Sequence, residues 1–322
     1  MTLSAEVDRL WTRDHDRQVA KWLKNIEKNI ARTKSARQCF HQWHPLRVYV
    51  NASELMGSGG ATFSLRFKGQ EVAKLVASNK GLVELKIEAC HLLPSKRDFK
   101  FTGLGTGSYG WKSPEGRILR DYFKKNANNS SLRPRQPEHE VETNIIKEMT
   151  KKRREVKFGG KFHNIQPVTI EGCPLQMPLP ISGCSGAPKL TKGNIDILAR
   201  RVSENRRVHL SVWELKKPGV TTTIIDKAIR QAFIYAIVLA KILRTDSGPG
   251  WYRLFGFKRQ LPDKLKVEAV VVLSTDDRKK FLKVWPKYEE TLPITTGNDE
   301  ILPCVAFYDK NTYAIESFQL LA

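Results

Sequence analysis

Residues 194–217 read NIDILARRVSENRRVHLSVWELKK, and this segment predicts a β-hairpin. Apolar residues recur through 194–201 and 208–217, and the polar run Ser203-Glu204-Asn205 between these segments is typical of a turn. Pro218-Gly219 ends the second strand. The hairpin therefore fixes which residues of the two strands face each other.

The residues best suited to catalysis lie at the open end of the hairpin, away from the turn. A turn centred on Asn205 places Asp196 opposite Glu214, because both residues are equally far from the centre. Lys216 lies two positions after Glu214, so both side chains project from the same face of the strand. Facing carboxylates repel each other without a cation, and their oxygens suit a hard divalent ion such as Mg²⁺. A metal and a lysine at one site can together stabilise charge on a scissile phosphate.

The segments that follow predict an α/β fold with a mixed central sheet flanked by helices. A long apolar helix is expected at about 223–243, and the Val-rich run from Ala269 to Leu273 is typical of a buried central strand. A helix at 276–284 and a hairpin around Asp309-Lys310-Asn311 follow. The predicted order is thus strand, strand, helix, strand.

This order of elements and motifs resembles the PD-(D/E)XK nuclease superfamily over roughly residues 190–320. The residues that carry the resemblance are Asn194-Ile195-Asp196-Ile197-Leu198, Trp213-Glu214-Leu215-Lys216-Lys217 and Gln231-Ala232-Phe233-Ile234-Tyr235. The last segment is similar to the Gln-x-x-x-Tyr helix of the RecB-like branch, whereas Asn194-Ile195 stands where the family name has a proline. The resemblance implies a restriction-endonuclease-like core.

The resemblance also implies a role for individual residues. Those implied as catalytic are Glu142, Asp196, Glu214, Lys216, Gln231 and Tyr235. Asp196, Glu214 and the Leu215 carbonyl would bind Mg²⁺, for which Mn²⁺ can substitute. Gln231 and Tyr235 share one helical face and would reach a phosphate or orient the site. The family's upstream helical acid corresponds to Glu142 or to Glu138.

The charge of the chain predicts a polyanionic partner. Lys and Arg number 55 against 33 Asp and Glu, a net charge of +22, and we expect the partner to be DNA. The basic run from Lys147 to Lys161 is expected to contact phosphates. We therefore expect an Mg²⁺-dependent deoxyribonuclease of defence, restriction, repair or recombination. The alternative is a DNA-binding or assembly protein that keeps the fold without catalysis.

Two domains are expected, 1–130 and 131–322. Residues 4–43 have the apolar spacing of helices, and alternation around 63–67 and 83–88 predicts strands. A short helix is expected at 114–125, the polar run 126–131 is the expected linker, and a further helix should begin near Pro137. Domain 1–130 is expected to contact substrate, or to mediate assembly with a second copy or a protein partner.

The length of the apolar runs and the spacing of the cysteines predict the cellular location of the protein. The run from Ala232 to Ala240 is shorter than the ~20 residues that a membrane span needs, so no membrane partner is expected. Scattered cysteines fit reduced thiols in a cytoplasmic protein, with Cys173 and Cys184 buried. A weaker alternative is a zinc site, for which the irregularly spaced candidates are Cys39, His41, His44, Cys90 and His91.

Overall fold

The computed structural model describes residues 2–40, 45–54, 60–78, 80–92, 103–132, 137–150, 155–158, 161–202 and 207–321. The helices among them are α1 (Leu3–Leu10), α2 (Arg13–Lys28), α3 (Ile30–Phe40), α4 (Ala89–Leu92), α5 (Pro114–Lys125), α6 (Pro137–Met149), α7 (Thr222–Arg244), α8 (Gly248–Leu254), α9 (Arg278–Val284) and α10 (Pro286–Glu289). The strands are β1 (Leu46–Asn51), β2 (Gly60–Phe67), β3 (Gln70–Ser78), β4 (Val83–Ile87), β5 (Gly107–Gly110), β6 (Glu155–Phe158), β7 (Lys161–Pro167), β8 (Thr169–Ile170), β9 (Cys173–Gln176), β10 (Pro178–Leu179), β11 (Gly193–Asn194), β12 (Ile197–Val202), β13 (Val208–Leu215), β14 (Lys266–Ser274), β15 (Ile294–Thr296), β16 (Asp299–Tyr308) and β17 (Ile315–Leu320).

The chain forms two compact units that are discontinuous in sequence. Unit 1 comprises Met1–Leu23, Asn144–Val168 and Gln176–Ala322, and unit 2 comprises Lys24–Thr143 and Thr169–Leu175. This division differs from the boundary expected at residue 130, because the first 23 residues belong to the unit that contains the α7 helix. Lys241 of α7 binds Asp8 of the N-terminal helices and lies over the Trp11 ring.

Unit 1 contains a mixed sheet, as the sequence predicts. Its strand order is β15-β16-β14-β13-β12-β7-β6, and β17 also pairs with β16. Strands β13, β14 and β16 are parallel neighbours, and β12 is antiparallel to both β13 and β7. From Val267 onwards every residue of β14 is buried, since this strand has neighbours on both sides and α7 packs on it.

The α7 helix connects β13 to the parallel strand β14. Its first turn is capped by the Thr221 hydroxyl, which accepts a hydrogen bond from the Ile224 amide at 3.3 Å. The turn before it contains Gly219 at a positive φ of 79°, and the Gly219 amide donates to Asp277 Oδ2 at 2.8 Å. A central helix packed on the parallel strands and the sequence order strand, strand, helix, strand are both as predicted.

Unit 2 contains a second sheet with the order β5-β4-β3-β2-β1-β9-β8. The α3 helix packs against β1 and β3, and the rings of Phe67 and Phe123 pack 4.8 Å apart. The helix predicted at 114–125 is α5, and the predicted helix at Pro137 is α6. The region predicted as helical at 4–43 is divided into three helices up to Phe40, with breaks at Trp11-Thr12 and at Asn29.

None of the described helices has both the length and the apolar character that crossing a bilayer requires. The longest, α7, has the polar residues Asp226, Lys227 and Arg230 in its first half.

Candidate active site

The β12–β13 hairpin brings Asp196 and Glu214 together. Ile197 pairs with Trp213 and Val202 with Val208, which is the register expected for a hairpin symmetric about residue 205. Asp196 is the next residue outward from Ile197 and accepts a 2.8 Å hydrogen bond from the Leu215 amide through Oδ2. The predicted register is therefore confirmed, although the turn at 203–206 lies outside the described residues.

Glu214 is a buried carboxylate with one unsatisfied oxygen. Its side chain is almost fully buried, and its Oε1 lies 2.5 Å from Lys216 Nζ. Its Oε2 has no hydrogen-bond partner within the described part of the chain. Burial raises the pKa of Glu214 well above its usual value, the charge of Asp196 raises it further, and Lys216 opposes both effects. The site therefore favours additional positive charge.

This arrangement fits a divalent cation. An unpartnered buried oxygen beside a second carboxylate is costly unless a cation or a proton neutralises it. Asp196 and Glu214 offer only oxygen atoms, as a hard ion such as Mg²⁺ or Mn²⁺ prefers. The adjacent Leu215 carbonyl is the third oxygen in the set expected from sequence.

Lys216 is fixed by the strands around it. Its amide donates to the Val272 carbonyl at 3.0 Å, which extends the β13–β14 pairing by one residue. Its own carbonyl accepts a 2.9 Å hydrogen bond from the Tyr308 hydroxyl. The Lys216 side chain is 12% exposed, so its ammonium group is held at Glu214 with limited access to solvent.

Gln231 and Tyr235 lie on one face of α7, as predicted, and contact each other. Gln231 Nε2 donates to the Tyr235 hydroxyl at 3.2 Å, and the Cys184 Sγ lies 3.2 Å from that hydroxyl. Burial raises the pKa of Tyr235, and the Cys184 hydrogen bond and the charge of Glu214 raise it further. A Cβ atom on Gly193, three residues before Asp196, would lie 2.9 Å from Tyr235 Cε1, so Tyr235 packs against the chain segment that leads to Asp196.

Cys184 corrects one expectation, because it is exposed and not buried. It lies in the loop between β10 and β11, whose position against α7 depends on long-range packing. Ser182 of the same loop is also a neighbour of Tyr235. No sequence motif marks either residue as part of the site; the signal in the sequence is the glycine-rich loop that ends three residues before Asp196. Cys173 is buried as predicted.

Glu142 belongs to unit 2, whereas the other candidate catalytic residues belong to unit 1. Its buried carboxylate forms a 3.6 Å ion pair with Arg66 Nη1 and lies 3.6 Å from His139 Nδ1. Both of these contacts lie within unit 2. Glu138 is half-buried at the start of α6. The role of either glutamate as the upstream acid stays a prediction.

The weaker zinc hypothesis gains nothing from the described residues. Glu88, Cys90 and His91 cluster within 4.8 Å, but both ring nitrogens of His91 already have partners. Its Nδ1 accepts from the Glu88 amide at 2.9 Å, and its Nε2 lies 3.0 Å from Glu71. The side chains of Cys39 and of residues 151–161 in the basic run lie outside the described part of the chain, as do residues 41–44.

Comparisons of this chain with protein-family models, with curated proteins and with solved structures gave no match.

Proposed function

We propose that this chain is a metal-dependent nuclease that hydrolyses DNA phosphodiester bonds. The observation that carries the proposal is the buried Glu214, whose Oε2 has no partner among the described residues and whose Oε1 contacts Lys216. Asp196 lies one residue beyond the Ile197–Trp213 pair of the same hairpin and accepts a hydrogen bond from the Leu215 amide, next to Glu214. A structural ion pair would need only one of these carboxylates. The second negative charge is explained if the site binds a cation.

The charges at the site suit a phosphodiester substrate. Two ionised carboxylates and one ammonium group leave a single net negative charge, which repels a phosphate. With a divalent cation held by Asp196, Glu214 and the Leu215 carbonyl, the site would carry one net positive charge. That charge matches the single negative charge of a phosphodiester. A bound Mg²⁺ would also polarise the phosphate and lower the pKa of a coordinated water.

The protein's own groups have separate tasks in this proposal. Lys216 would stabilise negative charge that develops on the phosphate oxygens, since its ammonium group is held by Glu214. Gln231 and Tyr235 would maintain the position of the loop that contains Cys184 beside the carboxylates. The strand, strand, helix, strand order of unit 1 supports a restriction-endonuclease-like core of the PD-(D/E)XK kind. The net charge of +22 supports a nucleic-acid substrate.

The test is cleavage of circular single-stranded, circular duplex and linear DNA by the full chain. We expect products with Mg²⁺ or Mn²⁺ and none with EDTA. Products from circular DNA would identify internal cutting, and products from linear DNA alone would identify attack at ends. Salt-sensitive DNA binding without cleavage under all of these metal conditions would instead favour the DNA-binding or assembly role.

A further inference from the structure

Residues 180–192 connect β10 to β11 and lead almost directly into Asp196. At the base of this connection Pro178 pairs with Asn194 and Leu179 with Gly193. Further out, Ser182 and Lys189 exchange two backbone hydrogen bonds of 2.9 Å. This backbone pairing forms the base of a short hairpin. We call residues 183–192, between Ser182 and β11, the arm.

The arm is fixed against the first half of α7 by close backbone approaches. A Cβ atom on Gly183 would lie only 3.2 Å from Gln231 Cα, and the Gly186 carbonyl accepts a hydrogen bond from Arg230. The Cys184 Sγ contacts the Tyr235 hydroxyl at 3.2 Å. Paired strand residues are about 5.5 Å apart, so the Lys189 backbone is one strand spacing from Ser182, itself a neighbour of Tyr235. The arm therefore forms part of the rim of the carboxylate site.

The only charged residues of the arm are lysines. No acidic residue occurs between Glu171 and Asp196. Lys189 and Lys192 are exposed and form no ion pair with any described residue. Lys189 and Lys192 therefore add positive charge, without an ion-pair partner among the described residues, to the loop that packs on Tyr235.

An exposed apolar side chain lies between these lysines. Leu190 is 60% exposed. It lies between Lys189 and Lys192 in the sequence, so an apolar side chain is flanked by two positively charged ones. A nucleic-acid strand has the complementary pattern, in which phosphates alternate with sugars and bases that offer apolar faces.

The geometry points to the arm as the element that holds the nucleic-acid strand beside the scissile phosphate. Lys189 and Lys192 contact the phosphates that flank this position, and Leu190 packs on the sugar or base between them. This inference rests on the proposed function, because it requires a phosphodiester substrate at Asp196 and Glu214. It adds that the cationic arm, and not the carboxylate site alone, sets substrate affinity.

The test measures DNA binding by the full chain carrying Asp196→Asn, so that no cleavage occurs. The pair Lys189→Gln and Lys192→Gln is compared with Lys279→Gln and Lys283→Gln on α9, which are exposed and also lack ion pairs among the described residues. Losing two phosphate contacts should weaken binding roughly tenfold and reduce the slope of log Kd against log salt by about 1.8 on duplex DNA or about 1.4 on a single strand. The α9 pair should change the slope by much less.

A second comparison isolates the apolar contact. Leu190→Ser should weaken binding several-fold without changing the salt slope, because no charge is lost. Leu282→Ser on α9 is the matched control, since Leu282 is also 60% exposed. Equal effects of the two serine variants would contradict the apolar contact.

Thiol labelling provides a readout that does not depend on affinity alone. Saturating DNA should slow maleimide labelling of the exposed Cys184, with Cys90 of unit 2 as the internal reference. Unchanged labelling of Cys184, or equal binding by the arm and α9 lysine pairs, would overturn the arm proposal alone. Absence of salt-dependent DNA binding would overturn both proposals. Arm-dependent binding without metal-dependent cleavage by the unaltered chain would overturn the proposed hydrolysis and leave the arm intact.

Discussion

At the scale of single residues, Glu214 is the most informative side chain in the molecule. It is buried, faces Asp196 across the hairpin, and has one carboxylate oxygen without a partner among the described residues. Lys216 compensates part of this charge through Oε1. A position of this kind lowers the stability of the fold unless a further positive charge is supplied, so folding and metal binding should be coupled.

The carboxylate variants test that coupling. Asp196→Asn and Glu214→Gln should abolish cleavage, because each removes an anionic metal ligand, while DNA binding stays intact or becomes slightly stronger as repulsion of the phosphate falls. The unaltered chain should gain about 2.7 kcal/mol of stability at a Mg²⁺ concentration 100-fold above its Kd, and both variants should lose most of this gain. Thermal melting with and without Mg²⁺ measures it.

The exposed Glu84 provides the control for these variants, since Glu84-Leu85-Lys86 repeats the spacing of Glu214-Leu215-Lys216. Glu84→Gln should cleave DNA and respond to Mg²⁺ like the unaltered chain. If Glu84→Gln abolished cleavage and Asp196→Asn did not, the active site would lie in unit 2.

Lys216→Ala separates charge stabilisation from metal binding. Cleavage should be lost because no ammonium group remains near the phosphate, whereas calorimetry should still detect binding of Mg²⁺ or Mn²⁺ to the two carboxylates. Lys86→Ala is the matched control and should keep full activity. Loss of metal binding in Lys216→Ala would contradict the division of roles between the lysine and the carboxylates.

At the scale of elements, the β12–β13 hairpin and the arm differ in how far the sequence determines them. The register of the hairpin was predictable, because the period of two and the polar turn leave one symmetric pairing. Helices α5 and α6 were predictable from local signals such as Pro114 and Pro137. The contact of Cys184 with Tyr235 was not, since it joins residues 51 positions apart through backbone approaches that no local pattern encodes.

Gly193→Ala tests whether that packing supports the site. A Cβ atom at Gly193 would lie 2.9 Å from Tyr235 Cε1 and 3.1 Å from the Ile181 carbonyl oxygen. The resulting displacement should cost about 1–3 kcal/mol of unfolding free energy and reduce cleavage by moving the arm. Gly105→Ala is the control, because no atom lies within 4 Å of its Cβ position. Denaturant unfolding and cleavage rates of both variants decide the matter, and normal activity of Gly193→Ala would contradict the supporting role.

At the scale of the whole molecule, the discontinuity of both units is the main departure from the sequence-based expectation. Unit 1 is assembled from three segments that flank the two segments of unit 2. Composition and linker signals identify polar connections but do not show that α1 returns to pack on α7. The buried Val7 and Val19 supply the physical reason, since these apolar side chains need a partner surface.

A fragment of residues 131–322 should consequently be less stable than unit 1 in the full chain. It lacks the ion pair between Asp8 and Lys241 and the contact of Leu23 with Gly250. We expect a lower melting temperature for the fragment in circular dichroism, with partial recovery when a peptide of residues 1–23 is added. A scrambled peptide of the same composition should have no effect. A fragment that melts like the full chain would contradict the assignment of α1 to unit 1.

Because α1 and α2 come early in the sequence, they are synthesised long before α7. Leu23 leaves the ribosome roughly 200 residues before α7 begins at Thr222, an interval of about 10–40 s at ordinary translation rates. Helices form within about a microsecond, so translation and not helix formation determines when α1 can pack on α7. Every segment of unit 2 has been synthesised once the nascent chain reaches Leu175. Unit 2 can therefore fold before α7, on which α1 packs, has been synthesised.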